Sequence, residues 1–345
     1  MNTEQRMDLI SKEPTEEVVG VDELKAELAG GFKLKHYIGL EISGPLHLGS
    51  LLITGLKLRD FLKAEVDVTI FLADWHSYIN DKLGGNWDRI VAASRSYERA
   101  FKAFAPGVST LLGSELYKGN DEYWKNLIQL SKQVNMNRAK RTLTIMGRSD
   151  GDNLDMSQYL YPVMQANDIR ALRVDIAHAG MDQRKVHMLV RDVFPRLGWK
   201  PPVAVHHHLL PSLEQPTKVD DVEFSKMSKS KPESAIFIHD SAASIREKLA
   251  KAWCPLDKTV GNPVLEMTRY LVFHEFKLMK VERTAKYGGD IEFNSYQEVE
   301  EALVNRKLHP MDLKGSLASY IDSMVSPYRK SLLNDPDYAQ LIENT

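Results

Sequence analysis

Short apolar runs alternate with longer amphipathic stretches through the first two-thirds of the chain. Five runs rich in leucine or β-branched residues have the character of buried strands: residues 34–40, 66–73, 110–112, 174–177 and 203–206. The stretches between them carry apolar residues three and four positions apart and predict helices: residues 48–63, 87–104, 123–146, 159–172 and 182–197. This alternation is typical of a parallel sheet covered by helices, so we expect an α/β fold.

The pattern changes near residue 211, where the chain becomes polar and prolines stand at positions 211, 216 and 232. We expect a loop at 212–232 and a domain boundary at its end. Beyond it the strand signals fade, and helical periodicity predicts an all-α domain with helices at 244–253, 263–276, 295–304 and 311–332. The predicted domains are therefore 1–232, with a helical insert at about 115–160, and 233–345.

Composition narrows the class of protein. The 345 residues include a single cysteine, Cys254, which excludes an internal disulfide and is typical of a cytoplasmic protein. No apolar run approaches the roughly 20 residues of a membrane-spanning helix, and the charged N-terminal segment lacks the apolar core of a secretory signal. We therefore expect a cytoplasmic protein without a membrane segment. With 45 basic and 47 acidic side chains, the overall charge neither supports nor excludes a nucleic-acid partner.

The first chemically informative segment is the turn from a strand into a helix at residues 37–50. Gly44 and Gly49 let the backbone approach a phosphate, His47 can donate to one, and the new helix offers unpaired N–H groups. A turn whose polar residues only cap the helix explains the segment about equally well. Neither G-x-G-x-x-G nor G-x-x-x-x-G-K-[ST] occurs here, which argues against a dehydrogenase or a P-loop enzyme.

A second segment, residues 225–231, reads Ser-Lys-Met-Ser-Lys-Ser-Lys and places three ammonium and three hydroxyl groups in the predicted loop. Such a loop can close over a triphosphate, where lysine stabilises the negative charge that grows on the leaving pyrophosphate. Its composition alone fits a solvated basic loop better. Its position downstream of His47-Leu-Gly-Ser50 changes that balance.

The two segments, in this order, resemble the two signatures of the class I aminoacyl-tRNA synthetases, a His-x-Gly-His turn and a Lys-Met-Ser-Lys-Ser loop. The resemblance implies that His47, Gly49, Lys226 and Lys229 are the catalytic residues. Ser50 stands where the second histidine is common, so the role of that imidazole does not transfer to this chain.

A third segment concerns the amino acid. Tyr161, Gln165 and Asp168 are four and then three residues apart, so they share one face of a predicted helix. Gln183 follows the next predicted strand. A polar stripe on an otherwise apolar helix is either solvated or aimed at a pocket, because buried polar groups need partners. The spacing leaves both possibilities open.

These residues resemble the archaeal and eukaryotic tyrosyl-tRNA synthetases, and the resemblance extends over about residues 37–332. It implies that Tyr37 and Asp168 bind the substrate phenol, while Tyr161, Gln165 and Gln183 surround its α-ammonium and carboxylate groups. Phenylalanine would leave the first pair without a hydroxyl partner, so such a site rejects it without editing. The resemblance also implies an ATP-binding set, whose first member also contacts tyrosine: Gly39, Glu41, His47, Gly49, Ser50, Lys226, Met227, Ser228 and Lys229.

The implied reaction has two steps on a Rossmann-like catalytic domain. The carboxylate of L-tyrosine attacks the α-phosphorus of Mg²⁺-bound ATP, and the terminal ribose hydroxyl of tRNA(Tyr) then takes the tyrosyl group. Positioning and charge stabilisation lower the barrier, and no tightly bound, protein-ligated metal is expected.

Two further residues lie near the implied pocket. Ala179 precedes Gly180, where relatives carry two consecutive glycines. His76 fits either a pocket residue or a structural histidine equally well.

The predicted helical domain carries Tyr287 before two glycines and a His309-Pro-Met-Asp312 segment. The sequence by itself favours a turn and a helix start. The resemblance implies that Tyr287 stacks on the first anticodon base and that His309 and Asp312 bind its edge. It also places the insert at a homodimer interface and near the tRNA acceptor arm, to which it assigns Arg138, Arg141, Arg184 and Lys185, with Arg148 in the same basic cluster.

Three other functions compete with this interpretation. A tryptophanyl enzyme shares the fold and signatures, but an indole has no hydroxyl for Tyr37 and Asp168. A nucleotidyltransferase of the same superfold has no use for an anticodon-binding domain, and a non-catalytic paralogue has no need of His47 and the signature lysines.

The histidines at 206–208 suggest a metal site, but consecutive strand residues alternate between faces, so at most two could converge.

Overall fold

The structure is a computed structural model that describes residues 1–147, 153–216, 226–227, 229 and 231–343. Ser228 and Arg148, which belong to predicted sites, lie outside the described residues. The chain forms two compact units, Met1–Gly44 with Lys57–His208 and Pro45–Leu56 with Leu209–Thr345. The short segment that carries His47 therefore packs with the C-terminal part of the chain, an association that no local sequence pattern encodes.

A six-stranded sheet lies in the first unit, in the order β1-β6-β5-β2-β3-β4. Its strands are β1 Thr15–Val19, β2 Lys35–Leu40, β3 Asp67–Leu72, β4 Ser109–Leu112, β5 Ile176–Gly180 and β6 Val203–His207. Neighbours are parallel except β1, which pairs antiparallel with β6. The chain moves outward from β2 to β4 and returns on the other side of β2. This reversal creates a switch point between β2 and β5, where open α/β sheets bind ligands.

The α/β fold predicted from the alternating pattern is confirmed, and each predicted strand overlaps an observed one. The pattern does not predict β1, whose sequence Thr-Glu-Glu-Val-Val lacks a continuous apolar run. An edge strand needs no such run, because one side of it faces away from the rest of the sheet. The glutamates of β1 instead pair with histidines of β6 and the residue that follows it.

Helices alternate with these strands along the chain: α1 Thr3–Ser11, α2 Val21–Ala29, α3 Thr54–Lys63, α4 Asp74–Ile79, α5 Trp87–Phe104, α6 Gly113–Tyr117, α7 Asp121–Ser131, α8 Met136–Thr142, α9 Met156–Leu172 and α10 Arg184–Val193.

The prediction of one helix over 123–146 is wrong. Helix α7 ends at Ser131, and the side chain of Asn135 caps α8 by accepting a hydrogen bond from Arg138 N at 2.9 Å. A capping asparagine starts a new helix within a run whose apolar periodicity continues.

Histidines form a hydrogen-bonded chain across three strands of the first unit. His36 Nε2 lies 3.0 Å from His178 Nδ1, and His178 Nε2 lies 2.8 Å from His207 Nδ1. Burial lowers the pKa of His36 to about 3, that of His207 to about 4, and that of His178 well below its ordinary 6.5. The rings are therefore neutral near pH 7, so each can donate through one nitrogen and accept through the other.

The other members of the histidine run have separate partners. His206 Nε2 lies 3.0 Å from His187 Nδ1, and His206 Nδ1 lies 2.8 Å from Glu17 Oε2, while His208 contacts Glu16. Alternation along β6 thus sends His206 and His207 to different neighbours. Within the described ranges, no group of three or more His, Cys, Asp or Glu side chains is arranged to hold a metal ion.

The second unit is mainly helical: α11 Ala242–Lys251, α12 Pro263–Met267, α13 Phe273–Glu275, α14 Tyr296–Val304, α15 Pro310–Leu333 and α16 Pro336–Glu343. It also contains π-helical turns at Gly49–Ile53 and Thr268–Val272. Two short antiparallel strands, β7 Met279–Val281 and β8 Ile291–Phe293, are added to the expected helices. Three residues are too few to show strand alternation in a sequence. Among the helices that the structure describes, none is long and apolar enough to cross a membrane.

The buried histidines predict a loss of stability in acid. Unfolded histidine titrates near 6.5, whereas folded His36 and His207 titrate near about 3 and about 4. Between these values the unfolded chain binds more protons, so stability that is fully present above the unfolded pKa is lost as pH falls towards the folded one. We expect each such histidine to remove about 1.4 kcal/mol per pH unit from the free energy of unfolding, measured by urea denaturation over a pH series.

A substitution tests the origin of this slope. His207→Gln should make the pH dependence shallower, whereas His309→Gln, at an exposed position, should leave the slope as it is. Burial raises the pKa of Asp168 to about 8, and this one carboxyl acts in the opposite direction over the same pH range. Identical slopes for the wild type and His207→Gln would show that the histidine chain is not the cause.

Candidate active site

One face of α9 forms a buried polar surface in the first unit. Tyr161, Gln165 and Asp168 lie on it, and all three side chains are buried, so the solvated alternative for this stripe is excluded. The helix starts at a capping box, in which the side chains of Asp155 and Gln158 satisfy each other's backbone N–H groups. The spacing of four and three residues therefore produces a row of polar groups inside the protein.

The carboxylate of Asp168 is fully buried and its two oxygens have different surroundings. Oδ1 accepts hydrogen bonds from the hydroxyls of Tyr117 and Tyr123, each at 2.9 Å. Oδ2 has no hydrogen-bond partner in the part of the chain that the structure describes, and His76 Nε2 lies 3.5 Å away. Burial raises the pKa of Asp168 to about 8, while the two tyrosine hydrogen bonds lower it.

Tyr37 reaches the same region from β2. Its ring is buried, and burial together with the charge of Asp168 raises the pKa of its phenol well above 10. The hydroxyl therefore stays protonated and can donate or accept a hydrogen bond. Gly39 lies on the same face of β2, where a Cβ atom would stand 2.5 Å from the hydroxyl oxygen of Tyr37. The absence of a side chain at Gly39 leaves the space that the hydroxyl of Tyr37 occupies.

Glu41 joins several polar groups just beyond the end of β2. The side-chain amide of Asn80 donates to Glu41 Oε1 at 2.7 Å, and the hydroxyl of Tyr161 does so at 3.3 Å. Lys82 Nζ lies 3.4 Å from the other carboxylate oxygen. Glu41 thus connects the turn after β2 with α9 and the end of α4, and it fixes the direction of the Tyr161 phenol.

Gln165 and Gln183 are brought together from α9 and from the turn after β5. Gln165 Nε2 donates to Gln183 Oε1 at 3.2 Å, and Gln183 Nε2 donates to the carbonyl of Ile145 at 2.8 Å. Gln165 Oε1 is buried and receives no hydrogen bond from the described residues. A buried amide oxygen without a donor suits an ammonium group, which has three N–H donors and no acceptor.

His76 lies between Tyr161 and Asp168. Its ring centroid is 4.6 Å from that of Tyr161 in an edge-to-face arrangement, and its two ring nitrogens lack hydrogen-bond partners among the described residues. Burial lowers the pKa of His76 to about 3, so the ring is neutral near pH 7. A histidine that is buried without satisfied nitrogens is not a satisfied structural one, and the geometry therefore favours a pocket position.

Sequence reasoning missed three polar groups of this pocket, namely Tyr117, Tyr123 and Asn80. Tyr117 lies on α6, which begins directly after β4, so its position beyond the carboxyl end of a predicted strand was a usable signal. Tyr123 and Asn80 carry no comparable signal. Their places depend on how α7 and α4 pack against α9.

The turn at His47 belongs to the second unit. Leu48 N donates to the carbonyl of Ile236 at 3.0 Å, and Ile238 N donates to the carbonyl of Leu46 at 2.9 Å. These bonds hold His47 opposite residues far along the chain. A Cβ atom at Gly49 would lie 3.1 Å from His47 Cε1, which is closer than ordinary packing allows. Gly49 therefore leaves space for the imidazole.

Ser50 completes this turn locally. Its hydroxyl accepts a hydrogen bond from His47 N at 2.8 Å and lies 3.0 Å from the His47 carbonyl, to which it donates. Ser50 therefore stabilises the backbone around His47, whatever else it contacts. A short hydroxyl side chain can form both of these backbone hydrogen bonds. This backbone role differs from the role of a second imidazole at the same position.

Two signature lysines lie close enough to His47 to affect its charge. Burial and the positive charges of Lys229 and Lys226 lower the pKa of His47 to about 3. Met227, between them, is buried, and its N–H donates to the carbonyl of Leu210 at 3.0 Å. The imidazole is therefore neutral near pH 7 and can donate a hydrogen bond to an anion without adding charge.

The predicted anticodon residues lie in two segments of the second unit that Arg283 connects. Arg283 donates to the carbonyl of Gly289 at 2.8 Å and to the carbonyl of Lys307 at 3.1 Å. The first segment carries Tyr287, whose ring is 62% exposed, and the second leads to His309. An exposed aromatic ring is available for stacking. The role of Arg283 could not be predicted from the sequence.

His309 and Asp312 lie at the start of α15, as the segment pattern predicts. His309 is the N-cap residue, and its Nδ1 accepts a hydrogen bond from Met311 N at 3.2 Å. The capping role leaves Nε2 of the exposed ring facing away from that bond. Asp312 is half-buried in the first turn, where a carboxylate also favours the helix dipole.

The predicted acceptor-arm residues have partners within the first unit. The guanidinium of Arg184 forms three hydrogen bonds with Glu17, at 2.8, 2.9 and 3.1 Å. Arg138 pairs with an aspartate of α10 at 2.5 Å, and Lys185 donates to a threonine hydroxyl at 2.9 Å. Arg141 is exposed. Phosphates would have to replace several of these partners, so the geometry does not bring the four cations into one preformed site.

The family of this chain follows from its sequence as a whole. The profile of the family described as tRNA synthetases class I (W and Y) matches residues 31–326. The chain belongs to this family. The class predicted from the two signatures is therefore confirmed.

Individual relatives narrow the comparison. The tyrosine–tRNA ligase of Pyrococcus furiosus is 43% identical over an alignment that covers 100% of this chain and 99% of that protein. The crystal structure of tyrosyl-tRNA synthetase from Pyrococcus horikoshii, complexed with L-tyrosine, has a TM-score of 0.93 at 41% identity and covers 100% of both chains. The resemblance to archaeal tyrosyl enzymes is confirmed.

A tryptophanyl-tRNA synthetase from Encephalitozoon cuniculi, bound to tryptophan, has a TM-score of 0.69 at 17% identity, with 98% of this chain and 94% of that chain covered. At this identity the likeness shows the shared fold alone. Since the fold is shared, the overall architecture cannot distinguish a tyrosyl from a tryptophanyl enzyme, and the distinction must depend on the residues of the pocket.

Proposed function

We propose that this chain is a tyrosine–tRNA ligase, which activates L-tyrosine with ATP and transfers the tyrosyl group to tRNA(Tyr). Its two relatives of archaeal origin match it over its whole length at 41–43% identity. The observation that carries the amino acid specificity is Asp168 Oδ2, a buried acceptor without a hydrogen bond from the described residues. A substrate phenol would supply that bond, whereas a phenyl ring has no donor and would leave the acceptor unpaired.

The tyrosine-binding residues are Tyr37, Gly39, Tyr161, Gln165, Asp168 and Gln183, with His76 against the substrate ring. Gln165 Oε1, which lacks a described donor, accepts from the α-ammonium group. The α-carboxylate is the nucleophile. It attacks the α-phosphorus of ATP, the bond to the leaving oxygen breaks, and pyrophosphate departs with that electron pair. No side-chain nucleophile is required.

ATP, as its Mg²⁺ complex, is bound by the residues that the resemblance assigns to it: Gly39, Glu41, His47, Gly49, Ser50, Lys226, Met227, Ser228 and Lys229. The neutral imidazole of His47 donates to a phosphate oxygen, and the glycine beside it leaves space for that contact. The ammonium groups of Lys226 and Lys229 stabilise the negative charge that grows on pyrophosphate. These charges matter more in the transition state than in the ground state, because negative charge has by then grown on the leaving oxygen.

The tRNA is recognised at two places. Tyr287 stacks on the first anticodon base while His309 and Asp312 bind its edge, and this follows the common way of recognising unpaired bases. The acceptor arm is bound, after exchange of their internal partners, by four basic residues: Arg138, Arg141, Arg184 and Lys185.

One cysteine in 345 residues fits a reducing compartment, so we place the enzyme in the cytoplasm.

We also propose a homodimer that forms through the insert. Large apolar side chains of α7 and α9 are exposed there, including Trp124 at 48%, Ile128 at 63% and Leu160 at 41%. Trp75 and Tyr78 of α4 line the same groove as Trp124 and Leu160. Contiguous exposed apolar surface of this kind is typical of an interaction site, and a second copy would cover it.

The role of Lys229 can be measured by amino-acid-dependent ATP–pyrophosphate exchange. The wild type should exchange with tyrosine and not with tryptophan or phenylalanine. Lys229→Ala should slow tyrosyl-adenylate formation about a hundredfold, because it removes a charge that acts in the transition state. Tyrosine binding, followed by equilibrium titration without ATP, should change less than about twofold.

The matched control is Lys231→Ala, which removes an exposed lysine of the same segment that lies 3.9 Å from Glu214. It should keep the wild-type exchange rate. Equal losses of rate and of tyrosine affinity in Lys229→Ala would contradict its proposed role, and exchange with tryptophan instead of tyrosine would overturn the assignment of Asp168.

Anticodon stacking is tested by Tyr287→Ala, which should raise the KM for tRNA about tenfold, since a lost base–aromatic stack removes affinity of this order. ATP–pyrophosphate exchange without tRNA should not change. Tyr287→Phe retains the ring and should keep the wild-type KM. An unchanged KM in Tyr287→Ala would remove this residue from the anticodon site.

The proposed dimer interface is tested by Trp124→Glu, which places a charge on the exposed apolar surface. We expect sedimentation equilibrium to show a dimer for the wild type and a monomer for the variant, because an unpaired buried charge is costly at an interface. Val260→Glu, at a position that is 77% exposed in the second unit, should remain dimeric. A dimeric Trp124→Glu would place the interface elsewhere.

A further inference from the structure

Two tyrosines from different helices share one oxygen of Asp168. The hydroxyls of Tyr117 on α6 and Tyr123 on α7 each lie 2.9 Å from Oδ1. Their ring centroids are 4.4 Å apart, so the two rings pack against each other. The side-chain amide of Asn167 donates to the backbone carbonyl of Tyr123 at 2.9 Å, which fixes Tyr123 relative to α9. The two donors are thus held in place by packing and by the backbone.

The second oxygen of the same carboxylate is treated differently. Oδ2 is buried and receives no hydrogen bond from any described residue, and the nearest imidazole nitrogen, His76 Nε2, is 3.5 Å away. Leaving a buried acceptor unpaired costs free energy, whereas a carboxylate can accept at both oxygens. The two tyrosines therefore satisfy one oxygen of Asp168 and leave the other oxygen without a described hydrogen bond.

We infer that Tyr117 and Tyr123 are positioning residues for amino acid selection, which orient the carboxylate of Asp168 so that Oδ2 is presented to the substrate phenol. The inference rests on the proposed role of Asp168 as the phenol acceptor. A carboxylate held by two donors on one oxygen cannot turn about its Cβ–Cγ bond without breaking both. Selection of tyrosine over phenylalanine then depends on residues that do not touch the substrate's reacting groups.

The same two hydrogen bonds lower the pKa of Asp168 and so favour its charged form, although burial still leaves that pKa raised to about 8. Burial and the charge of Asp74 favour the protonated acid, and the hydrogen bonds from Tyr117 and Tyr123 oppose them. The ionisable groups that face Asp168 also include Tyr37 and His76. A protonated Asp168 can no longer offer two acceptor oxygens, so removing both hydroxyls reduces the fraction of enzyme that can accept the substrate phenol at a given pH.

The test compares Tyr117→Phe, Tyr123→Phe and the double variant in tyrosine-dependent ATP–pyrophosphate exchange over a pH series. Each substitution keeps the ring and removes one hydroxyl. We expect the KM for tyrosine to rise about tenfold in the double variant with kcat nearly unchanged, since the two hydrogen bonds together contribute affinity of this order. The acidic limb of kcat/KM should move to higher pH, and the preference for tyrosine over phenylalanine should fall.

Two further variants make the outcome unambiguous. Tyr159→Phe removes a hydroxyl from α9, where Tyr159 packs against the buried apolar cluster that contains Tyr117 and Tyr123, and it should keep the wild-type pH profile. Asp168→Asn tests the proposed function itself and should abolish the preference for tyrosine. If Asp168→Asn has this effect but the double variant keeps the wild-type pH profile and preference, the positioning role is wrong. If Asp168→Asn keeps the preference, the assignment of the phenol site fails first. The two single variants report the same quantities if the double variant does not fold.

Discussion

A carboxyl group buried away from water is the constraint on which the proposed amino acid pocket depends. Asp168 is completely buried, and a group of this kind is tolerated only when its oxygens find donors. The structure supplies two phenols to one oxygen and none, within the described residues, to the other. The helices α6 and α7 must therefore pack close to α9, and the proposed pocket acquires an acceptor that a substrate hydroxyl can satisfy and a phenyl ring cannot.

The residues that we propose to bind phosphate follow a different rule, which concerns charge. Burial, together with the charges of two nearby lysines, lowers the pKa of His47 to about 3, so the imidazole acts as a neutral donor while the lysines carry the positive charge. Glycine and serine at the next two positions serve the same turn, since one leaves space for the ring and the other holds the backbone. A neutral donor beside cations suits a substrate whose charge increases during the reaction.

Hydrogen-bonded polar groups also connect distant parts of each unit. In the first unit, neutral histidines link β2, β5 and β6. In the second unit, Arg283 joins the turn after Tyr287 to the segment before His309. Both arrangements satisfy buried or half-buried polar groups while fixing elements that are far apart in the sequence. The chemistry of the site thus depends on residues with no direct part in it.

The sequence by itself determined the fold class, the order of the parallel strands along the chain and the residues that share the polar face of α9. These properties depend on short-range periodicity and on signature segments, which are readable because helix and strand geometry repeat every few residues. The sequence also pointed to Tyr37, His47 and the signature lysines, since each lies in such a segment. The break between α7 and α8 was overlooked because apolar periodicity continues through it, although Asn135 stops the helix.

Only the tertiary structure decided which groups meet. It brought Tyr117 and Tyr123 to one oxygen of Asp168, placed β1 at the edge of the sheet, joined Gln165 to Gln183 and packed the His47 segment with the C-terminal part of the chain. None of these contacts connects residues within a few positions, so no local pattern records them. They arise because buried polar groups must find partners wherever the packing of helices and strands provides them.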